Sequence, residues 1–284
     1  MPADFPVRST QTEKIKAMKT KSVSHHAAFT LIELLVVIAI IAILSGLLLP
    51  SLAKAKQKGK AIVELNSAKQ MMLAHAVYSS ESDDRVLPAY QPGYEGRDQQ
   101  GQPVAGVVGQ RYPWRLAPYL GQNFRAMYVN DNGARLALYE AGAATNVSTY
   151  RYYVSLFPSL GLNYYVGGAP TIPATGNYGP HVERNSDAQR GSELIVFAST
   201  RYALSRDADG GSGFLRMNAP WNTAGALAWN TNYTDALAPN TVGYIHPRYD
   251  GRAITSMLDG RAESLKFTQL LDMRRWANGA TNAF

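Results

Sequence analysis

The sequence predicts an α+β fold: a long N-terminal helix whose first half suits a membrane and whose second half packs on a small, mainly antiparallel β-sheet. Three observations lead there. Residues 29–49, "FTLIELLVVIAIIAILSGLLL", carry one charge, Glu33, and as a helix this run reaches roughly 31 Å, about the hydrocarbon thickness of a bilayer. Helix-forming residues continue from Ser51 to about Ser82. Beyond Pro88 the chain changes to short β-branched and aromatic runs separated by Gly, Pro and Asn.

Residues 1–28 are polar and basic without apolar periodicity and read as a cytoplasmic leader. The run 29–49 is predicted to be transmembrane. A cleaved secretory signal is the competing reading, with Ser51 and Ala53 of "PSLAKA" as small residues at the cut. The length of the run, the acid near its start and the helical sequence after it favour retention. The helix is expected over 29–82, with Pro50 kinking it near the membrane exit, because proline removes a backbone bond and clashes one turn back. Ile62, Leu65, Met72 and Ala76 mark its expected buried face. His75 is expected at a helix–sheet packing position. "SSESDDRVLPAY" should end the helix.

In the remaining segment, 83–284, "RYPWRLAPYLG" reads as a short helix or turn, and "STYRYYVSL", "LNYYVGG", "ELIVFAST" and "AITSML" read as strands. Residues 91–108 and 207–241 read as long connections. Asp250-Gly251 and Asp259-Gly260 are tight-turn signals bounding "RAITSML".

The formal charge of +7 is concentrated at the front: Lys54, Lys56, Lys58, Lys60 and Lys69 follow the apolar run with only Glu64 to oppose them, whereas from Met71 onward 18 basic residues face 17 acidic ones. A nearly neutral domain lacks the basic face that phosphate neutralisation needs, so no nucleic-acid partner is expected. Its basic residues are all Arg except Lys266, which suits surface pairing. With no cysteine, disulfides, thiolate metal sites and a cysteine nucleophile are excluded.

"AFTLIELLVVIAIIAILSGLLLPSLAKAKQ" closely resembles the N-terminal segment of type IV pilins and of the pseudopilins of type II secretion systems. The resemblance implies a prepilin peptidase that cuts between Ala28 and Phe29 and methylates the new amine of Phe29. It also implies a role for Glu33 in assembly and register, a kink at Pro50, and a filament formed with other pilin subunits through the N-terminal helix. Ala28 stands where the family usually has Gly. Cleavage would place a cationic amine one helical turn from Glu33, and in apolar surroundings the two charges should pair, within or between chains. "LAHAVYSSESDDRVLPAY", "YPWRLAPYLG", "LGLNYYVGG" and "HPRYDGRAITSMLDGRAESL" resemble segments of pilin-like proteins of planctomycetes and verrucomicrobia, although His246 precedes Asp259-Gly260 by a longer spacing than theirs.

Two metal readings were weighed. "RDADGGSG" offers Asp207, Asp209 and Ser212 as oxygen ligands for calcium, without the downstream Glu of an EF-hand. His246 with Asp259 is a two-ligand alternative. No cofactor is otherwise expected, and no Gly-x-Ser-x-Gly, P-loop, dinucleotide fingerprint or His-Glu-x-x-His occurs. The expectation is therefore a pseudopilin or minor pilin and not an enzyme. The alternative is a periplasmic binding or carbohydrate-active domain that uses the helix as an anchor. Charges flanking the apolar run balance and do not orient it; the resemblance implies a single pass through a bacterial inner membrane, with the leader cytoplasmic and the domain periplasmic or in an extracytoplasmic filament.

Overall fold

The structure, a computed structural model, describes residues 30–122, 124–143, 145–166, 181–202, 213–220 and 227–280. The chain divides into two compact units, Met1–Ser51 and Leu52–Phe284. In the first, helix α1 (Leu31–Glu81, which continues into the second) starts after Thr30, and every described residue up to Ser51 is exposed. None of its most apolar window is buried within the chain. Among the described residues, α1 is the helix long and apolar enough to cross a membrane. Pro50 lies inside it, and beside it the Ser51 hydroxyl donates to the Leu48 carbonyl at 2.8 Å.

In the second unit, α1 turns one face inward through Glu64, Ser67, Ala68, Met71, Met72, Ala74, His75 and Ser79. This corrects the expected face: Met72 is buried and Leu65 half-buried, but Ile62 and Ala76 point to solvent. Small and polar side chains let the helix approach the sheet closely, and the bulkier Ile62, Val63 and Leu73 are left outside. The helix stops at Asp83 and Asp84, both left-handed, with the Asp84 N–H closing on the Ser79 carbonyl at 2.9 Å. The stop precedes Pro88. The Asp84 carboxylate then accepts the Ser186 N–H and the Asn185 amide, which hold it below the usual carboxylate range.

A two-stranded ladder follows, β1 (Gly96–Arg97) with β2 (Pro103–Val104), then the short helices α2 (Gly106–Gly109) and α3 (Tyr112–Leu116). Next come α4 (Asp131–Ala143) and α5 (Val147–Leu156). The main sheet is built from β3 (Leu160–Asn163), β4 (Ile195–Ser199), β5 (Arg216–Met217), β6 (Arg252–Met257) and β7 (Ala262–Lys266), in spatial order β5-β3-β4-β6-β7. All neighbours are antiparallel except β3 with β5. The fold is α+β, as the sequence predicts.

The sheet is covered on both faces. Leu160, Leu162, Phe197 and Ile254 share a cluster with Met71 and Met72 of α1, while Ile195, Ala198, Ala253 and Met257 join Trp229, Phe267 and Trp276 in another. Double burial explains why "LIVFAS" is an unbroken apolar run and not an alternating one. The register slips between Ile195 and Phe197, so Val196 and Phe197 fall in the same cluster. After β7, helix α6 (Phe267–Leu270) leads into that second cluster.

Three expectations are corrected. "STYRYYVSL" is not a strand but α5: the Asn146 side chain accepts the Thr149 N–H at 3.0 Å, and Tyr150 and Val154 face inward four residues apart. The cap and helical burial outweigh aromatic β-propensity. The stretch 91–108 is not a plain connection, because Asp98 folds it into the ladder by accepting the Gln100 and Gln102 N–H groups and pairing with Arg151 at 2.5 Å. Nor is 207–241 a plain connection, because it contains β5. Arginines pair with carboxylates at the surface, as in Arg274 with Asp272, and also staple loops: Arg201 donates to the Asp235 and Leu237 carbonyls, Arg248 to those of Ser159 and Thr200, and Arg111 to that of Tyr152. Around "RAITSML" the reading holds. Asp250 and Gly251, both at positive φ, turn the chain between mutually hydrogen-bonded Tyr249 and Arg252.

Gly161 sits where β3 is flanked by β5 and β4, and a Cβ there would lie 2.6 Å from Thr200 Cγ2 and 2.7 Å from the Phe214 carbonyl. Gly161→Ala is expected to cost about 1–3 kcal/mol, because backbone cannot yield as a side chain can. Urea unfolding followed by tryptophan fluorescence checks this; an unchanged midpoint would contradict the close approach.

Candidate functional site

At the start of α1 the residues form a reciprocal cap. The Thr30 N–H and hydroxyl both donate to Glu33 Oε2, at 2.9 and 2.8 Å, and the Glu33 N–H is directed to Thr30 Oγ1 at 3.2 Å. This is the Thr-x-x-Glu capping box, which satisfies donors that a helix start leaves open. Glu33 thus has a local partner within its own first helical turn. The signature is local, contained in "TLIE", residues 30–33. Ala28 and Phe29, on either side of the expected cut, lie outside the described residues.

The calcium reading also falls outside: Asp207, Asp209 and Ser212 are not among the described residues. The His246–Asp259 reading is corrected. The His246 N–H donates to the Ser199 carbonyl at one end of β4, whereas the Asp259 N–H donates to Gly191 and its neighbour Leu258 to Leu194, beyond the other end. The strand between them separates the two side chains, and Asp259 pairs instead with Arg261 at 2.9 Å. Among the described residues no group of three or more His, Asp or Glu side chains could hold a metal.

The most concentrated polar chemistry in the second unit is a buried cluster around Glu64, a residue that sequence reasoning counted only as an opposing charge. Glu64 is fully buried on the inner face of α1. Ser199 Oγ of β4 donates to its Oε1 at 2.6 Å, the Tyr249 hydroxyl donates to its Oε2, and the Arg248 guanidinium stands 3.7 Å from Oε2. Asn130 donates its amide to both Tyr249 Oη and the Lys60 carbonyl, at 2.9 Å each. Burial, with the Glu64 charge beside it, pushes the Tyr249 hydroxyl well above its ordinary range, so it stays protonated as a donor. The arrangement contains no nucleophile–base pair; it fixes the helix on the sheet. One signal could have found it: Glu64 lies four, seven and eight residues before Ala68, Met71 and Met72.

His75, three turns beyond Glu64 on this face and buried, behaves as expected of a packing residue. Its ring meets Phe197 edge-on at 6.5 Å, and its Nε2 accepts the Leu87 N–H at 3.3 Å. Burial lowers its pKa to about 4. A groove of about 630 Å³ opens along the edge of this face between Val63, Leu73 and Val77 and the segment around Tyr119 and Ala126.

No curated protein and no solved structure matches the chain. Residues 23–49, which hold the capped helix start and the exposed apolar run, match the family model described as the prokaryotic N-terminal methylation motif, and the chain is similar there to the type IV pilin-like proteins.

Proposed function

We propose that this chain is a pilin-like filament subunit, a pseudopilin or minor pilin of a type II secretion or type IV pilus-like system. The observation that carries the reading is the methylation motif at the head of a 51-residue helix whose apolar first half is bare of any intrachain cover. Bare apolar area on this scale needs lipid or neighbouring helices.

In this reading residues 1–28 are a leader in the cytoplasm, prepilin peptidase cuts between Ala28 and Phe29, and the Phe29 amine is methylated. The helix then holds the protein in the inner membrane as a single pass, bends at Pro50, and carries the domain of residues 83–284 outside. Cleavage leaves Thr30 second in the chain, so the new amine arises beside the Thr30–Glu33 cap. Glu33 can exchange its capping bonds for that amine or for the amine of a neighbouring subunit, which fixes axial register. The chain acts as a substrate of the peptidase and a structural partner of other subunits. The C-terminal segments that resemble planctomycete and verrucomicrobial pilin-like proteins extend the reading to the domain.

Intact-mass measurement of the mature protein is expected to show a chain beginning at Phe29 and bearing one extra methyl group. A mass that retains residues 1–28, or begins near Lys54, contradicts the processing. Glu33→Val is expected to abolish filament assembly while leaving the urea midpoint of the domain unchanged, since among the described residues the Glu33 carboxylate is bonded to Thr30 and to no residue of the domain. An anchored binding or carbohydrate-active protein would instead keep its activity with that substitution.

A further inference from the structure

The second unit has a basic recess of about 430 Å³ for which the filament reading has no use. Lys54, Lys58 and Ala61 of α1 line one side, and Tyr249, Asp250 and Arg252 line the other. Lys54 and Lys58 are four residues apart and share a helical face. The Arg252 guanidinium donates to the Ser264 carbonyl at 3.0 Å. Among the described residues no carboxylate pairs with any of these three cations, whereas nearby Lys60 is held by Asp131 at 2.7 Å and Glu64 is consumed inside the core. Asp250 is the acid in the lining, so the recess carries an excess of two positive charges.

Its position along the chain bears on what fills it. Lys54 and Lys58 follow Leu49, the last residue of the apolar run, by only five and nine residues in sequence, and basic residues next to an apolar run of membrane length are attracted to anionic headgroups. Long lysine stems reach along apolar surface and leave their ammonium groups free to meet such a headgroup. An arginine fork opposite two ammonium groups suits the oxygens of a phosphodiester.

We propose that this recess binds the phosphate of an anionic phospholipid headgroup, with Lys54 and Lys58 as point charges and Arg252 as the fork. The proposal rests on the membrane anchoring argued above. Binding there would add a lipid contact from the second unit to the anchoring by the apolar run.

The test uses the full chain in detergent, titrated with phosphatidylglycerol or phosphatidylcholine and read by native mass spectrometry. The expected result is a preference of about tenfold or more for phosphatidylglycerol, reduced to within about twofold in Lys54→Gln/Lys58→Gln/Arg252→Gln and retained in Lys56→Gln, whose side chain does not line the recess. Equal retention of the two lipids by the native chain, or a preference that survives the triple substitution, overturns the proposal. If millimolar inorganic phosphate displaces phosphatidylglycerol completely, the recess is a free-anion site and the lipid assignment falls. Flotation with phosphatidylcholine vesicles separates the two levels of the argument: a chain that does not float refutes the anchoring, while one that floats without lipid preference refutes the recess alone. Unchanged tryptophan fluorescence confirms that the triple variant is folded.

Discussion

Glu64→Ala is expected to lower the unfolding free energy of the second unit by about 3–5 kcal/mol, the loss typical when one partner of a buried, hydrogen-bonded charge pair is removed. The substitution leaves the Ser199 hydroxyl and the Tyr249 hydroxyl without their acceptor and the Arg248 guanidinium without its nearby carboxylate. Glu64→Gln preserves the shape and one acceptor, so about 1–2 kcal/mol is expected. All four tryptophans lie in this unit, from Trp114 onward, so urea unfolding of the full chain in mild detergent can be followed by fluorescence. A cost below about 1 kcal/mol for Glu64→Ala would show that apolar contacts alone hold α1 on the sheet. Combined with Tyr249→Phe, the substitution should be non-additive by about 1 kcal/mol or more, as expected of residues in one network.

The second large effect is a loss of stability in mild acid, set by His75. Its native pKa is lowered to about 4 by burial, from an ordinary value of 6.5. Between these values the unfolded chain binds a proton that the native chain refuses. Stability is therefore full above pH 6.5 and falls as the pH drops, by about 1.4 kcal/mol per unit, until the native imidazole also titrates near pH 4. The whole loss is about 3 kcal/mol. His75→Gln, neutral throughout, should flatten the slope of unfolding free energy between pH 6.5 and 4.5. A slope that persists in the variant would assign the acid sensitivity to other groups. Such sensitivity would matter to a protein exposed to an acidifying exterior.

Much of this architecture was legible residue by residue. The exposed apolar first half of α1 follows from length and the near absence of charge, the turns at Asp250-Gly251 and Asp259-Gly260 from residues that tolerate positive φ, and strands β4 and β6 from apolar, β-branched runs. The methylation motif was the sharpest local signal, because its residues are contiguous. The capping box at Thr30 and Glu33 was equally local and could have been read with it.

What failed shares one physical cause. The helical recurrence of Ile62, Leu65, Met72 and Ala76 points to one face of α1, but burial favours whichever face lets backbones approach and satisfies its polar groups together. That face holds Ser67, Ala68 and a glutamate whose partners lie 135 and 185 residues away. "STYRYYVSL" became a helix for a similar reason: Asn146 opens the first turn, and Tyr150 and Val154 find the core at helical spacing. The sequence by itself determined which run is long and apolar enough to cross a membrane, where the chain turns and which segments are apolar, since those depend on neighbours along the chain. Only the tertiary structure decided which face of α1 is buried, that Glu64 holds it there, and that His246 and Asp259 stand at opposite ends of a strand. These depend on groups brought together across the sheet, where the desolvation of a charge is met or left unmet by partners that no local pattern encodes.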